Sequence, residues 1–232
     1  MVPEAIILAG GMGTRLKSVV SDVPKPMAPV AGRPFLTYLL DQIANTGIQN
    51  VYLSVGYKHE VILQYFGRRY KHLNLHYVIE KERLGTGGGI RLAAELATSN
   101  TLFVLNGDTY FDVAFPKFFD HHQHAENGMT IALKQMSNVT RYGMVKQDGQ
   151  RIIGFSEKSA EPVTGNINGG IYCLNRTLFL EKTKPTAFSM ETDFMEKYVN
   201  DIAIGGFESE GYFIDIGIPE DYTKANQYFE QF

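Results

Sequence analysis

Apolar residues in the first half of the chain switch repeatedly between two spacings. "EAIILA" is a run of strand length, and Phe35, Tyr38, Leu39 and Ile43 then recur at i, i+3, i+4 and i+8 before Gly47. "NVYLSV", "HEVILQYF" and "LHYVI" follow as strand-like, helix-like and strand-like stretches. Such alternation between contiguous apolar runs and a 3.6-residue stripe predicts β-α-β-α-β. "GGIRLAAELA" then reads as a helix and "TLFVLN" as a strand running into Gly107-Asp108. This half predicts an α/β fold, Rossmann-like and doubly wound around a mostly parallel sheet, with ligands at the carboxyl ends of the strands.

From about residue 129 the rhythm changes. "MTIALK", "NGGIYCL", "IAIGGF" and "GYFIDI" are strand-like, and "GMVKQ" and "RIIGFSEK" flank Asp148-Gly149, a hairpin signal. Helical patterns interrupt them near Arg176 to Thr183, Glu191 to Val199 and Pro219 to Phe229, with Pro219 suited to a first helical position. The sheet is therefore expected to be mixed, with a partly antiparallel lobe in the second half. No repeat or linker divides the chain, so residues 1–232 are read as one domain with lobes of about 1–128 and 129–232.

Composition narrows the function. Twenty-two basic residues against 25 acidic ones, with a net charge of −3, argue against a nucleic-acid or membrane-surface protein. The first 35 residues differ, because Arg15, Lys17, Lys25 and Arg33 face only Glu4 and Asp22. Positive charge is thus gathered where the glycines are. The single cysteine, Cys173, lies in an apolar stretch and is expected to be a buried thiol. The start "MVPEAIILAGG" lacks a basic leader and no apolar run approaches membrane-spanning length, so a cytoplasmic enzyme that is not exported is expected.

The stretch "LAGGMGTRLKSVVSDVPKPMAPVAGRP" follows the first strand, an order suited to phosphate, because glycine amides and a helix N-terminus together form an anion site. A P-loop needs Gly-Lys-Ser/Thr, and the chain has no Gly-Lys pair. A dinucleotide loop needs G-x-G-x-x-G and an acid closing the second strand, yet Gly11-x-Gly13 leads to Leu16 and "YLSV" runs into Gly56-Tyr57-Lys58. Neither of these two phosphate loops fits. Backbone amides around Gly10, Gly11 and Gly13 could approach phosphates without a Cβ between. Arg15 offers a fork of donors, and Lys25, held between Pro24 and Pro26, offers a point charge. Asp108 and Asp215 each follow an apolar strand, and two acids meeting at a sheet edge suit Mg²⁺. Taken singly, each of these residues has a plainer reading as a turn, a cap or a solvated charge.

"LAGGMGTRL", "VPKPMAPVAGRP", "LGTGGGI", "LNGD", "SEK", "NGGIY" and "DIGIPEDY" occur in the order found in sugar-1-phosphate nucleotidyltransferases, and the chain resembles that family over nearly its whole length. Within it, "SVVSDVPKPMAPVAGRPFL", "LSVGYKHEVI" and "NGDTYFDV" are most similar to the heptose 1-phosphate guanylyltransferases. The resemblance implies Mg²⁺-assisted transfer of a nucleotidyl group to a sugar 1-phosphate, with GTP and a heptose 1-phosphate as the pair. A mannose 1-phosphate guanylyltransferase and a uridylyltransferase for another sugar are close alternatives, and a non-catalytic nucleotide-sugar sensor is a rival of another class.

By the same resemblance Leu8, Ala9, Gly10, Gly11, Gly13, Thr14, Glu80, Gly85, Thr86 and Gly107 bind nucleotide, and Arg15 and Lys25 serve catalysis. Gly143, Glu157, Lys158, Asn168 and Gly169 hold the sugar phosphate, and Asp108 and Asp215 the metal. Glu80 stands at the strand end where the family keeps a base-reading residue, glutamine in thymidylyl and uridylyl members. A solvated loop acid, like Glu82, is its plainer reading. Glu191 could reach the sugar, although a helix N-terminal acid is simpler. His121 and His124 in "HHQH" read as helix surface rather than a metal site, and Phe111, Phe115, Phe118 and Phe119 as core. The chain end after "DIGIPEDYTKANQYF" implies no appended acyltransferase helix, hence one activity, and homo-oligomer formation is left open.

Overall fold

The computed structural model describes residues 2–11, 16, 20, 23–156, 161 and 163–231. The chain runs β1 (Glu4–Leu8), a short hairpin β2 (Pro29–Val30) and β3 (Arg33–Pro34), α1 (Phe35–Ala44), β4 (Asn50–Val55) and α2 (His59–Phe66). Next come β5 (Arg69–Tyr70), β6 (Leu73–Ile79), α3 (Gly85–Leu96), β7 (Thr101–Asn106), β8 (Thr109–Phe111) and α4 (Phe115–His124). The second half contributes β9 (Met129–Met136), β10 (Met144–Asp148), β11 (Arg151–Ser156), β12 (Gly165–Asn175) and α5 (Arg176–Lys182). It closes with β13 (Ile204–Glu208), β14 (Phe213–Asp215) and α6 (Pro219–Phe229).

Among the described residues ten strands form one mixed sheet in the order β10-β11-β13-β9-β12-β7-β1-β4-β6-β5. The β7-β1-β4-β6 block is parallel, while β12 joins β7 antiparallel and carries the sheet into the second half. The expected α/β sheet with a partly antiparallel second half is what forms. Strands from both halves of the chain share that sheet. β10 and β11 meet across a two-residue turn with Asp148 opposite Arg151 and Gly149 at φ +56°, as the hairpin signal predicted.

Side-chain alternation along the central strands builds a core on each face of the sheet. Ala5 and Ile7, with Phe103 and Leu105, face α1, α2, α4 and α6, whereas Ile6, Leu102 and Val104 face α3, α5 and the segment after it. A strand covered on both faces reads as an unbroken apolar run, which is why "EAIILA" and "TLFVLN" carried no alternation. Phe111, Phe115 and Phe118 are buried and Phe119 packs against them, the core role expected of these rings. Cys173 is fully buried and burial pushes its thiol pKa up.

Two helices depart from expectation. The glycine-rich "GTGGG" is the first turn of α3 and not a loop before it. Gly85 adopts φ +70°, and a Cβ on Gly87 would lie 2.1 Å from the Phe188 ring, so the bare helix start is where the 184–189 segment docks. The stretch predicted as a helix from Glu191 to Val199 is a π-helix over Met190–Glu196, capped by Ser189, whose side chain accepts from the Glu191 and Thr192 amides. Wider π turns concentrate at functional sites.

Glu4 is 5% exposed at the start of β1 and accepts from the backbone N–H groups of Thr98 at 2.7 Å and Ser99 at 2.8 Å. Burial alone would raise its pKa, but these amides and the Thr98 and Asn50 side chains outweigh it and hold the carboxyl below its usual value. A depressed folded-state pKa contributes stability above the unfolded value that disappears as pH falls through the folded one. Glu4→Gln is therefore expected to lower stability at pH 7 by about 1 to 3 kcal/mol, and the gap to wild type should narrow below the ordinary carboxylate range. Urea titrations at several pH values check this; a gap that widened on acidification would contradict it.

Candidate active site

In the parallel block the strand order β6-β4-β1-β7 reverses direction between β1 and β7, so the loops leaving those two strands diverge. Ala9, Gly10 and Gly11 leave β1, and Gly107 and Asp108 leave β7. Gly107 N–H donates to Leu8 O at 3.0 Å, lacing the two exits together, and Ala9 N–H donates to Ser54 O on β4 at 2.7 Å. A Cβ on Gly107 would stand 2.3 Å from Leu8 O, so only glycine allows this approach. A cavity of about 450 Å³ opens there, lined among others by Leu8, Gly10, Gly11, Lys25, Glu80 and Thr86. Gly85, Gly107 and Asp108 also line it, so most of the expected nucleotide residues share one wall. Gly13, Thr14, Arg15, Glu157 and Lys158 lie outside the described residues.

Lys25 begins a 3-10 turn, Lys25–Met27, anchored by buried Pro26 and Met27. Its ammonium lies 2.5 Å from Asp108 Oδ2 and 3.5 Å from Asp215 Oδ1, with the lysine side chain 11% exposed. Asp108 leaves the carboxyl end of β7, the sheet edge where both acids were expected, and Asp215 reaches it on a separate antiparallel ribbon of β8 and β14, with Asp215 opposite Thr109 and the Ile216 N–H donating to Asp108 O at 3.0 Å. That ribbon, three residues per strand, is what joins positions 108 and 215. Burial raises the pKa of Asp215, Asp108's charge raises it further, and Lys25 and the Gly217 N–H oppose both. Two carboxylates facing one cation are a hard oxygen donor set of the kind Mg²⁺ takes alongside phosphate and water, and the ammonium between them shows that the spacing admits a positive centre.

Glu80 follows β6 directly and is not a solvated loop acid. Its Oε1 accepts from Ser54 Oγ at 2.8 Å and its Oε2 from the Leu84 N–H at 3.3 Å. A Cβ on Gly10 would be 3.1 Å, and one on Gly89 2.9 Å, from Oε1, so glycines of the β1 exit and of α3 make room for the carboxylate. Thr86 Oγ1 donates to Glu191 Oε2 at 2.8 Å and accepts from the Met190 N–H, tying the nucleotide wall to the π-helix. Glu191 is a first-turn acid of the π-helix, and its Oε2 also accepts from Ser189 Oγ at 2.8 Å.

Of the expected sugar residues, Gly143, Asn168 and Gly169 are described, and none of the three lines the 450 Å³ cavity. Asn168 Oδ1 accepts from the Gly170 N–H at 2.9 Å and its Nδ2 donates to Tyr172 Oη at 3.1 Å, closing a bulge in β12. A Cβ on Gly169 would meet Phe111, and one on Gly143 would meet Ser156 O at 2.8 Å. Arg33, counted with the N-terminal positive charge, turns away to Asp41 at 2.6 Å. His122 is buried against Thr130 Oγ1 at 2.9 Å, His121 packs on Phe207, and His124 meets its own helix backbone at Asp120 O. Sequence reasoning overlooked Asn106, Pro26 and Arg83, which line the cavity; Asn106, one residue before Gly107-Asp108, carried a signal in its position alone.

Comparison with known proteins agrees with this geometry. Residues 4–231 match the nucleotidyl transferase family. The chain is 46% identical, over 99% of both chains, to D-glycero-alpha-D-manno-heptose 1-phosphate guanylyltransferase of Aneurinibacillus thermoaerophilus. It is 42% identical to the Campylobacter jejuni enzyme of that name, over 94% of this chain and 96% of that one. The crystal structure of HddC from Yersinia pseudotuberculosis complexed with GMP-PN superposes with a TM-score of 0.88 at 36% identity, covering 98% of this chain and 100% of that one. With the phosphate-type glycine exits, the paired acids and their lysine at the switch point, the chain belongs to the nucleotidyl transferase family.

Proposed function

We propose that the protein is a guanylyltransferase that joins GTP and D-glycero-α-D-manno-heptose 1-phosphate to give GDP-heptose and pyrophosphate. The observation that carries this reading is that one cavity runs from the Glu80 carboxylate to the Lys25–Asp108–Asp215 cluster, base site to phosphate site. The names of the two curated relatives quoted above support the same sugar and the same base. Among the described residues no helix is long and apolar enough to cross a membrane, and we place the reaction in the cytoplasm, where its product enters polysaccharide assembly.

The acceptor phosphate oxygen attacks the α-phosphorus in line and pyrophosphate leaves, so the protein supplies position and charge rather than a nucleophile. The amides of Gly10 and Gly11 cradle the triphosphate, and Lys25 faces the α-phosphate, exchanging carboxylate partners for phosphoryl oxygens as charge builds there. Asp108 and Asp215 would hold Mg²⁺, which supplies Lewis-acid neutralisation of the phosphates when bound. Arg15 and Lys158 serve the triphosphate and the sugar phosphate by resemblance. The Thr86–Glu191 bond holds the nucleotide wall in register with the second lobe.

A panel of sugar 1-phosphates against four nucleoside triphosphates, read by pyrophosphate release, tests the reading. GTP with the heptose 1-phosphate is expected to give the highest kcat/KM. Faster turnover with UTP would overturn the guanylyl assignment, and no pyrophosphate with any pair would favour the sensor.

A further inference from the structure

A second hollow, about 300 Å³, lies beyond Asp215 and contains Arg141, Tyr142, Phe213 and Asp221 on its walls. It shares Asp215 with the phosphate cluster, and Tyr142 is the residue before Gly143. An acceptor whose phosphate sits at the Asp108–Asp215 pair and whose ring lies against Gly143 would direct its far end into this space.

The walls suit a short polyol. Asp221, on α6 with its side chain 8% exposed, holds Arg141 through a 2.5 Å contact between Oδ2 and Nη1, and Lys224 reaches its Oδ1 at 3.1 Å. That bond spans 80 residues of sequence and holds an arginine side chain that is itself 43% exposed. The guanidinium is a five-donor fork, and the bond to Asp221 engages only one nitrogen of it, so the rest can meet hydroxyl oxygens. Tyr142 and Phe213 stand edge to face with ring centres 6.0 Å apart, an apolar flank for C–H groups. Tyr142 N–H closes a turn onto Val139 O, so the wall comes from an ordered loop.

We propose that this hollow is the subsite for the exocyclic chain of the acceptor sugar, and that it sets a preference for a seven-carbon sugar 1-phosphate over a hexose 1-phosphate. The inference rests on the guanylyltransferase reading above and adds the residues that choose the sugar. A heptopyranose carries two exocyclic carbons, each with a hydroxyl, where a hexopyranose carries one. The added carbinol occupies the Arg141–Asp221 wall, and a hexose leaves that charged pair facing water.

The test compares heptose 1-phosphate with mannose 1-phosphate at saturating GTP, in wild type, Arg141→Ala and Thr140→Trp. The first variant removes the fork. The second leaves the ion pair in place and adds bulk at the rim, where Thr140 also lines the hollow. Each should lower the ratio of kcat/KM values, heptose over mannose, by roughly ten- to a hundredfold through the sugar KM, with the KM for GTP unmoved. Mannose 1-phosphate turnover in the same preparations reports on folding. A wild type that favours heptose by a ratio neither variant moves overturns the subsite alone. A wild type that uses mannose but not heptose 1-phosphate overturns the subsite and the heptose assignment together.

Discussion

Asp108→Asn or Asp215→Asn is expected to cut kcat by about a hundred- to a thousandfold at saturating substrates, the scale seen when one element of a charge-stabilising site is removed. Each change deletes a charge facing Lys25 and the implied metal while keeping side-chain shape. The two variants should differ in stability in an informative way. Asp215 is the more buried acid, and desolvation followed by the neighbouring Asp108 charge pushes its pKa up. A neutral amide relieves both, so Asp215→Asn should melt no lower than wild type even as activity collapses, the signature of a residue kept for chemistry at the expense of the fold. Asp108→Asn removes the nearer partner of Lys25, at 2.5 Å, and should cost a little more. Turnover close to wild type at limiting Mg²⁺ in either variant would remove that residue from the metal set, and a melt lowered in parallel with activity would make its role structural.

The extent to which the site could be read from sequence follows from the range of the contacts that build it. Elements made by local patterning were legible: the β1 run, the stripe of α1, the Asp148-Gly149 hairpin and the start of α6 at Pro219. Lys25 between two prolines and Asp108 after β7 were legible for the same reason, since neighbours in sequence fix them. Four features were not. The β8–β14 ribbon has strands too short for any periodicity, yet it brings Asp108 to Asp215. The first turn of α3 was not legible as helix because two of its glycines, Gly85 and Gly87, answer to Phe188, about 100 residues away. The π-helix was masked by an ordinary helical stripe, and the contact that ties its start to α3, the Thr86–Glu191 bond, joins residues 105 apart in sequence. The Arg141–Asp221 pair joins residues that are each unremarkable as surface charges until the fold sets them together.

Glu80→Gln is expected to reverse the base preference, lowering kcat/KM for GTP by about 1 to 3 kcal/mol, roughly five- to a hundred-and-fifty-fold, while turnover with a second base rises relative to it. The carboxylate is held in place before any ligand arrives, by Ser54 Oγ on Oε1 and the Leu84 N–H on Oε2, at the end of β6 beside Gly10. Each oxygen keeps acceptor capacity for the cavity, so the group presents two acceptors side by side. Guanine offers N1–H and N2–H₂ side by side and satisfies both. Uracil sets a carbonyl on each side of its single N–H, and adenine pairs an acceptor N1 with its amino group, so either base turns a lone pair toward Glu80. Glutamine can keep both anchors, its oxygen accepting from Leu84 N–H and its amide donating to Ser54 Oγ. The edge left for the base is then one acceptor and one donor, wrong for guanine and suited to a mixed edge. Because those anchors survive, the variant should melt with wild type, and the loss should fall on GTP without a matching rise in the KM for the sugar phosphate. Initial rates with GTP, ATP and UTP in wild type and variant decide it: an unchanged order of bases would remove Glu80 from base reading, whatever the total activity.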